Sequence, residues 1–338
     1  MKATKIKLSE VAKLIDGRLA GPDGIFDGFN SLDQAQRNEV SFILDEKHAA
    51  AKNIRAGALI APENYSNASL PVIGVKDPRL ALAIVLEHYY PEPKLQAGID
   101  KSALKGENTA IGSGASIGAY VTIGDNSKIG KNSQLYPGVR IGNNCEIGED
   151  CVIFSNAVIY DRTVIGNRVR IHAGAIIGVD GYGFARQDKK WRKIPQIGRV
   201  VIEDDVEIYA NTCVSRGAIG DTLIKRGTKI DNLTHVAHNC QIGEDCAITG
   251  LIGFAGSVVM GNRVMVGGMA GFNDHISIGD DSVIIGKSGV TKDFPAGSFI
   301  SGFPAQEHRT ELLQQAALRK VPALLKRVAE LEKKAKGN

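Results

Sequence analysis

At 338 residues the chain is long enough for two or three domains, and 43% hydrophobic with 23% charged residues excludes wholesale disorder. Aromatics make up only 6% while glycine reaches 39 residues, which fits a turn-dense architecture with a core of small aliphatics. The formal charge is +4, and the segment from Ala305 to Asn338 carries eight basic against four acidic side chains. The excess is therefore a local basic end, which argues against a nucleic-acid binder.

The start, Met1 to Lys7, is charged with no apolar stretch behind it, so it does not resemble a signal peptide. No apolar run approaches the ~20 residues of a membrane helix. A soluble, cytoplasmic protein is expected. The five cysteines include no CxxC pair, which argues against a disulfide framework or a zinc knuckle.

In chain order, residues 1–100 read as a small α/β domain. Leu8 to Leu14 reads as a capped amphipathic helix; Val40 to Leu44, Ala58 to Ala61 and Pro71 to Val75 read as short strands. Asp77-Pro78 is an N-cap followed by a first-turn proline, for a helix to about Tyr89, and Pro91-Glu92-Pro93 is a linker.

Residues 101–303 carry a six-residue repeat. Apolar residues fall at every sixth position from Ile111 to Ile177, at Ile202, Ile208 and Val214, and from Ile224 to Val290, 27 positions in all. That period matches neither an α-helix nor plain strand alternation, and predicts a parallel β-helix of hexapeptides. Three hexapeptides to a coil, as in the hexapeptide-repeat family that this pattern resembles, would give nine coils. Glycine often follows the inward aliphatic, as at Gly112, Gly118 and Gly124, where a tight turn would favour it. Two positions before the aliphatic the residue is usually small, which gives Cys145, Cys151, Cys240 and Cys246 a bland role in the core. Insertions in a solenoid project as loops, often on the binding face, and the phase break at 178–200 holds the single tryptophan and a basic cluster. The alternative is a clamp onto a neighbouring subunit. Residues 304–338 read as two helices split at Pro322, with an apolar stripe that identical tails of other subunits would bury.

The chemistry centres on His238. It lies two residues after inward Val236, so its side chain should face outward near a corner. One coil along stands Gly256, and a further coil brings Asp274 and His275. An imidazole base with a glycine N–H as oxyanion donor supports acyl transfer by direct attack. Zinc on His235-x-x-His238 is disfavoured, because the two flank an inward residue and converge poorly.

The segments Gly178-Val-Asp-Gly-Tyr-Gly-Phe184, Lys193-Ile-Pro-Gln-Ile-Gly-Arg199 and Ile230-Asp-Asn-Leu-Thr-His-Val-Ala-His-Asn239 resemble the UDP-3-O-(3-hydroxyacyl)glucosamine N-acyltransferases of the lipid A pathway. The resemblance covers essentially the whole chain. It implies a mainly β, left-handed parallel β-helix and a homotrimer with sites between subunits. It also implies transfer of a 3-hydroxyacyl chain from the phosphopantetheine of acyl carrier protein to the 2-amine of UDP-3-O-(3-hydroxyacyl)glucosamine, with no bound cofactor and no metal. His238 stands at the base position, Asp231 at a supporting carboxylate, His275 at a second active-site histidine, Gly256 at the oxyanion donor and Lys292 at a carrier-protein contact. In the N-terminal, nucleotide-binding domain Phe42, Asp45 and His48 stand where the family holds uridine; Asp45 departs from the usual asparagine and His48 from tyrosine. Cys213-Val-Ser215 replaces a family Thr-Ile-Asp, and Gly289 and Thr291 replace bulkier methionines near the acyl tail, which implies room for a longer chain. The family's lipid acceptor implies peripheral contact with the inner membrane. The rivals are an O-acyltransferase on UDP-N-acetylglucosamine and a non-catalytic trimeric scaffold that binds a nucleotide sugar.

Overall fold

The structure, a computed structural model, describes residues 5–45, 54–65 and 69–336. The chain divides into two compact units, Met1–Lys94 and Leu95–Asn338.

The first unit runs β1 (Ile6–Lys7), α1 (Leu8–Leu14), β2 (Arg18–Ala20), β3 (Ile25–Phe26), β4 (Gly28–Phe29), β5 (Glu39–Phe42), β6 (Ala58–Pro62), β7 (Val72–Val75) and α2 (Pro78–Tyr89). Its five-stranded sheet has the order β2-β7-β6-β5-β4, parallel except for the β2–β7 pair. Leu8 and Val11 of α1 and Val85 of α2 close a core with Val40, Ile60 and Ile73 from the sheet. Asp77 caps α2 by accepting from the Arg79 and Leu80 N–H groups. The first helix lacks a cap from its own N-cap residue; Asp23 supplies one from the following loop, accepting from the Ser9 N–H at 3.1 Å.

The second unit is a left-handed parallel β-helix. Its three faces are sheets that begin at Gly98–Ile99, Leu104–Lys105 and Ala110–Ile111, with 12, 10 and 9 strands. Coiling therefore starts before the first residue of the clean repeat. Each apolar residue of the repeat pairs with its counterpart one coil on, as in Ile123↔Ile141 and Ile129↔Ile147. One continuous column of buried side chains fills the prism. Each fully buried isoleucine contributes roughly 1.5–3 kcal/mol to folding.

The corner glycines are required for a reason other than turn geometry. A Cβ on Gly130 would lie 2.2 Å from the Gly148 carbonyl oxygen, and one on Gly112 2.6 Å from the Lys131 nitrogen. They are small because the next coil's backbone passes over them. The left-handed turn conformation falls two residues later instead, on Asn126, Asn132, Asn144 and Asp150, with φ between 55 and 57°. Cys145, Cys151, Cys240 and Cys246 are buried as expected.

Both phase breaks leave the corner between the second and third faces, on consecutive coils. The first forms a free-standing antiparallel hairpin, Phe184–Gln187 with Lys190–Lys193. The second is the short loop between Cys213–Arg216 and Thr222–Ile224. Two helices end the chain, α3 (His308–Leu318) and α4 (Val321–Lys336), with Pro322 in the first turn of α4. Their leucines are exposed, Leu313 at 65% and Leu325 at 64%. Among the described residues no helix is long and apolar enough to cross a membrane.

Candidate active site

The corner between the second and third faces has a rule, and the site is where the rule stops. On the early coils the residue two after the inward aliphatic points its N–H along the axis. The Asn or Asp of the next coil caps it: Asp125 Oδ1 accepts from Glu107, Asn143 from Asp125 and Asp161 from Asn143, each at 2.8 Å. Past Asp161 the same column reads Val179, where the strand bulges so that Asp180 pairs with Arg216, and then Arg216, His238, Gly256, Asp274 and Lys292. Among the described residues no acceptor meets the Gly256 N–H.

The His238 ring lies flat against Gly256. A Cβ there would meet its Cε1 at 2.4 Å and its Nε2 at 2.6 Å, so no side chain other than hydrogen fits. The ring nitrogen Nδ1 faces Asn239 Oδ1 at 3.2 Å. The Asn239 amide is itself oriented, since its Nδ2 donates to the Ile219 carbonyl at 2.8 Å. Oδ1 is therefore an acceptor, Nδ1 carries the proton of the neutral ring, and the lone pair is on Nε2, over Gly256. The Asn239 N–H donates to Thr222 Oγ1, whose hydroxyl donates to the Ser215 carbonyl. The second insertion thus braces the residue that sets the tautomer.

The first insertion is held to the same corner. Ile197 and Gly198 donate to the Ala218 and Gly217 carbonyls, and Gly181 sits where a Cβ would touch His238 Cβ and the Arg216 carbonyl, both at 2.7 Å. Buried Arg216 anchors its root, donating to the carbonyls of Gly178 and Asp161. Burial pulls the Arg216 pKa down, with Arg162 adding to the shift.

Of the residues expected at the site, His238 and Gly256 are in contact. His275 is tied to them through its backbone, with its N–H donating to the Gly256 carbonyl at 3.0 Å and φ at 56°. Lys292 stands in the same column with its ammonium over the Phe294 ring. Asp231 is differently engaged. Its carboxylate accepts from the Asn232 backbone and side chain, and inside this chain the partner of the His238 ring is Asn239. In the first unit Phe42 is only 7% exposed and packs on Phe29, so it is a core side chain with little ring left to stack on a base. Asp45 lies exposed just after β5, and His48 lies outside the described residues.

Along the second face, His235, Gly253, Gly271 and Gly289 are in register at the outward strand position. They floor a trough beside the corner, and exposed Leu233, Leu251 and Met269 stand along one rim. The floor is open at Gly253 and Gly271, but at Gly289 the Phe303 ring would lie 2.0 Å from a Cβ. The room expected at Gly289 is taken by that ring. Burial pushes the His235 imidazole below its ordinary range, and neighbouring His238 acts in the same direction, so His235 is neutral there. Among the described residues no three metal-ligating side chains gather into a site. Burial pushes Cys145, Cys151 and Cys240 up to about 11, which leaves their thiols unreactive at neutral pH.

The fold and this corner define a class first, the hexapeptide-repeat transferases. The model for bacterial transferase hexapeptides matches residues 120–155 and 144–178. A solved UDP-N-acetylglucosamine acyltransferase from Bacteroides fragilis shares the fold at 22% identity and TM-score 0.50, over 62% of this chain and 73% of that one. The model described as UDP-3-O-(3-hydroxymyristoyl) glucosamine N-acyltransferase, LpxD, matches residues 25–88. A UDP-3-O-acylglucosamine N-acyltransferase 1 from Gloeobacter violaceus is 40% identical over 96% of this chain and 95% of its own length. A UDP-3-O-acylglucosamine N-acyltransferase from Methylobacillus flagellatus is 37% identical over 96% and 94%. The chain belongs to the UDP-3-O-acylglucosamine N-acyltransferase family, and it is an acyltransferase.

Proposed function

We propose that the protein moves a 3-hydroxyacyl chain from the phosphopantetheine of acyl carrier protein to the 2-amine of UDP-3-O-(3-hydroxyacyl)glucosamine, in lipid A biosynthesis. The sugar amine attacks the thioester carbonyl while His238 Nε2 takes its proton. The Gly256 N–H receives the developing oxyanion. Collapse breaks the C–S bond, and the imidazolium returns its proton to the leaving thiolate. The products are an amide and the free carrier thiol. The observation that carries this reading is the His238 lone pair poised over a glycine whose N–H meets no acceptor among the described residues. Relatives of nearly the same length are named for this acceptor. His275 then brackets the acceptor from two coils away, Lys292 meets the acidic carrier, and Asp231 faces the acceptor site. The working unit is a cytoplasmic homotrimer, in which the exposed stripes of α3 and α4 find cover. The first unit takes the uridine, with Asp45 and His48 near it.

The test is an assay of purified protein with UDP-acylglucosamine and carrier-protein thioesters of several lengths. N-acylated product is expected; no product with any donor would remove the reading. The trough holds the incoming chain, and Phe303 ends it. Phe303→Ala uncovers Gly289 and adds about one coil spacing, ~4.8 Å, of floor. The preferred donor should lengthen by a few carbons in competition assays, and an unchanged preference would show that the chain ends elsewhere.

A further inference from the structure

The hairpin of the first insertion plays no part in the chemistry above, yet it is the most unusual surface on the coil unit. Phe184 to Lys193 holds five cations and one carboxylate, so this segment alone equals the net charge of +4 of the whole chain. Every residue of both strands is exposed, and Trp191 is 67% accessible. The strand register sorts the side chains. Phe184 pairs with Lys193 and Arg186 with Trp191, so one face alternates ring and cation; Ala185, Gln187, Lys190 and Arg192 share the other. Lys189 stands in the turn with φ at 64°. Tyr182, 82% exposed, packs tilted at 58° against Phe184 at the root, and the Arg186 guanidinium lies 5.9 Å from the Trp191 ring centre. Among the described residues no third strand joins this ribbon, and Lys193 at its root pairs with Asp180; a two-stranded ribbon alone is marginal in water, so it gains most from a surface that covers it.

We propose that this hairpin docks the enzyme on an anionic lipid surface. Rings and cations on one face fit a headgroup layer: aromatic rings settle at the interface while Lys and Arg heads stay with the phosphates. Both faces of the ribbon are exposed along its whole length. Its root leaves the corner one coil before the second insertion and packs Gly181 against His238. Docking therefore brings the active corner to the bilayer, where a product with two acyl chains is at home. That last link rests on the proposed function; the docking itself does not.

Trp191 is the single tryptophan, so its fluorescence reports on the hairpin alone. The full chain is titrated with vesicles of phosphatidylcholine, with and without phosphatidylglycerol, and binding is checked by sedimentation. Anionic vesicles should bind at least about tenfold tighter, shift the emission to the blue and, with brominated lipid, quench it. The triple variant Arg186→Glu, Lys189→Glu and Lys193→Gln removes the cations of the ring-bearing face and of the turn, changes only exposed side chains and should lose this preference. Equal binding to neutral vesicles, or full binding by the triple variant, overturns the proposal. So does a Trp191 already blue-shifted and shielded from iodide without lipid, which would place the hairpin on another copy of the chain. A blue shift produced by acyl carrier protein alone would assign the surface to that partner instead.

Discussion

His238→Ala is expected to lower kcat by about 10²–10⁴-fold while the melting temperature stays close to wild type. The ring is half-exposed and lies on the outside of the prism, so its loss leaves the stacked core of Val236, Phe254 and Phe272 intact. What disappears is the proton acceptor, and the loss should fall on kcat with little change in KM for either substrate. Asn239→Leu separates the ring from its orientation. Without Oδ1 to hold the Nδ1 proton, the neutral ring divides between tautomers and the Nε2 lone pair is no longer guaranteed. A smaller loss of kcat is expected there. A His238→Ala enzyme that retains wild-type turnover would mean that the imidazole is a bystander, and the non-catalytic scaffold would return as the better account.

The solenoid was readable because its period of six has one physical cause, a corner every six residues that sets an inward side chain on the next wall, three of which close a coil. Every rung from Ile111 to Val290 obeys it outside the two insertions. His238 and Gly256 were placed by the same arithmetic. The corner glycines are small because the next coil's backbone passes over them, and a sequence shows which residue is small but not whether a turn or a passing backbone makes it so. Asn239 follows His238 directly in the chain, but its role depends on the Ile219 carbonyl, which the second insertion delivers from outside the repeat. A usable signal did exist. Asp125, Asn143 and Asp161 recur every 18 residues as caps along one corner, and the column changes chemistry where that ladder ends. Phe42 could not be judged from its neighbours in sequence, since Phe29 buries it across the sheet. Phe303 lies beyond the last repeat, so no period connects it with Gly289.

Gly256→Ala is the sharpest test of the corner, because one methyl group attacks both halves of the mechanism. Gly256 does not adopt a left-handed conformation, so alanine meets no backbone penalty. Its methyl would start 2.4–2.6 Å from two ring atoms of His238, closer than real contacts allow, and the imidazole must swing away. The displaced Nε2 leaves the attacking amine, and the methyl crowds the approach to the N–H. Since both effects act on one transition state they do not simply multiply, and a loss of about 10²–10³-fold in kcat is expected. Gly268→Ala supplies the comparison. Its nearest neighbour, the Gly250 carbonyl oxygen, stands 3.3 Å from the new Cβ, so a small relaxation accommodates it, and it lies on a different corner. That variant should keep near-normal turnover. Equal activity of the two alanine variants, measured alongside their melting curves, would show that the packing of imidazole on glycine has no part in the reaction.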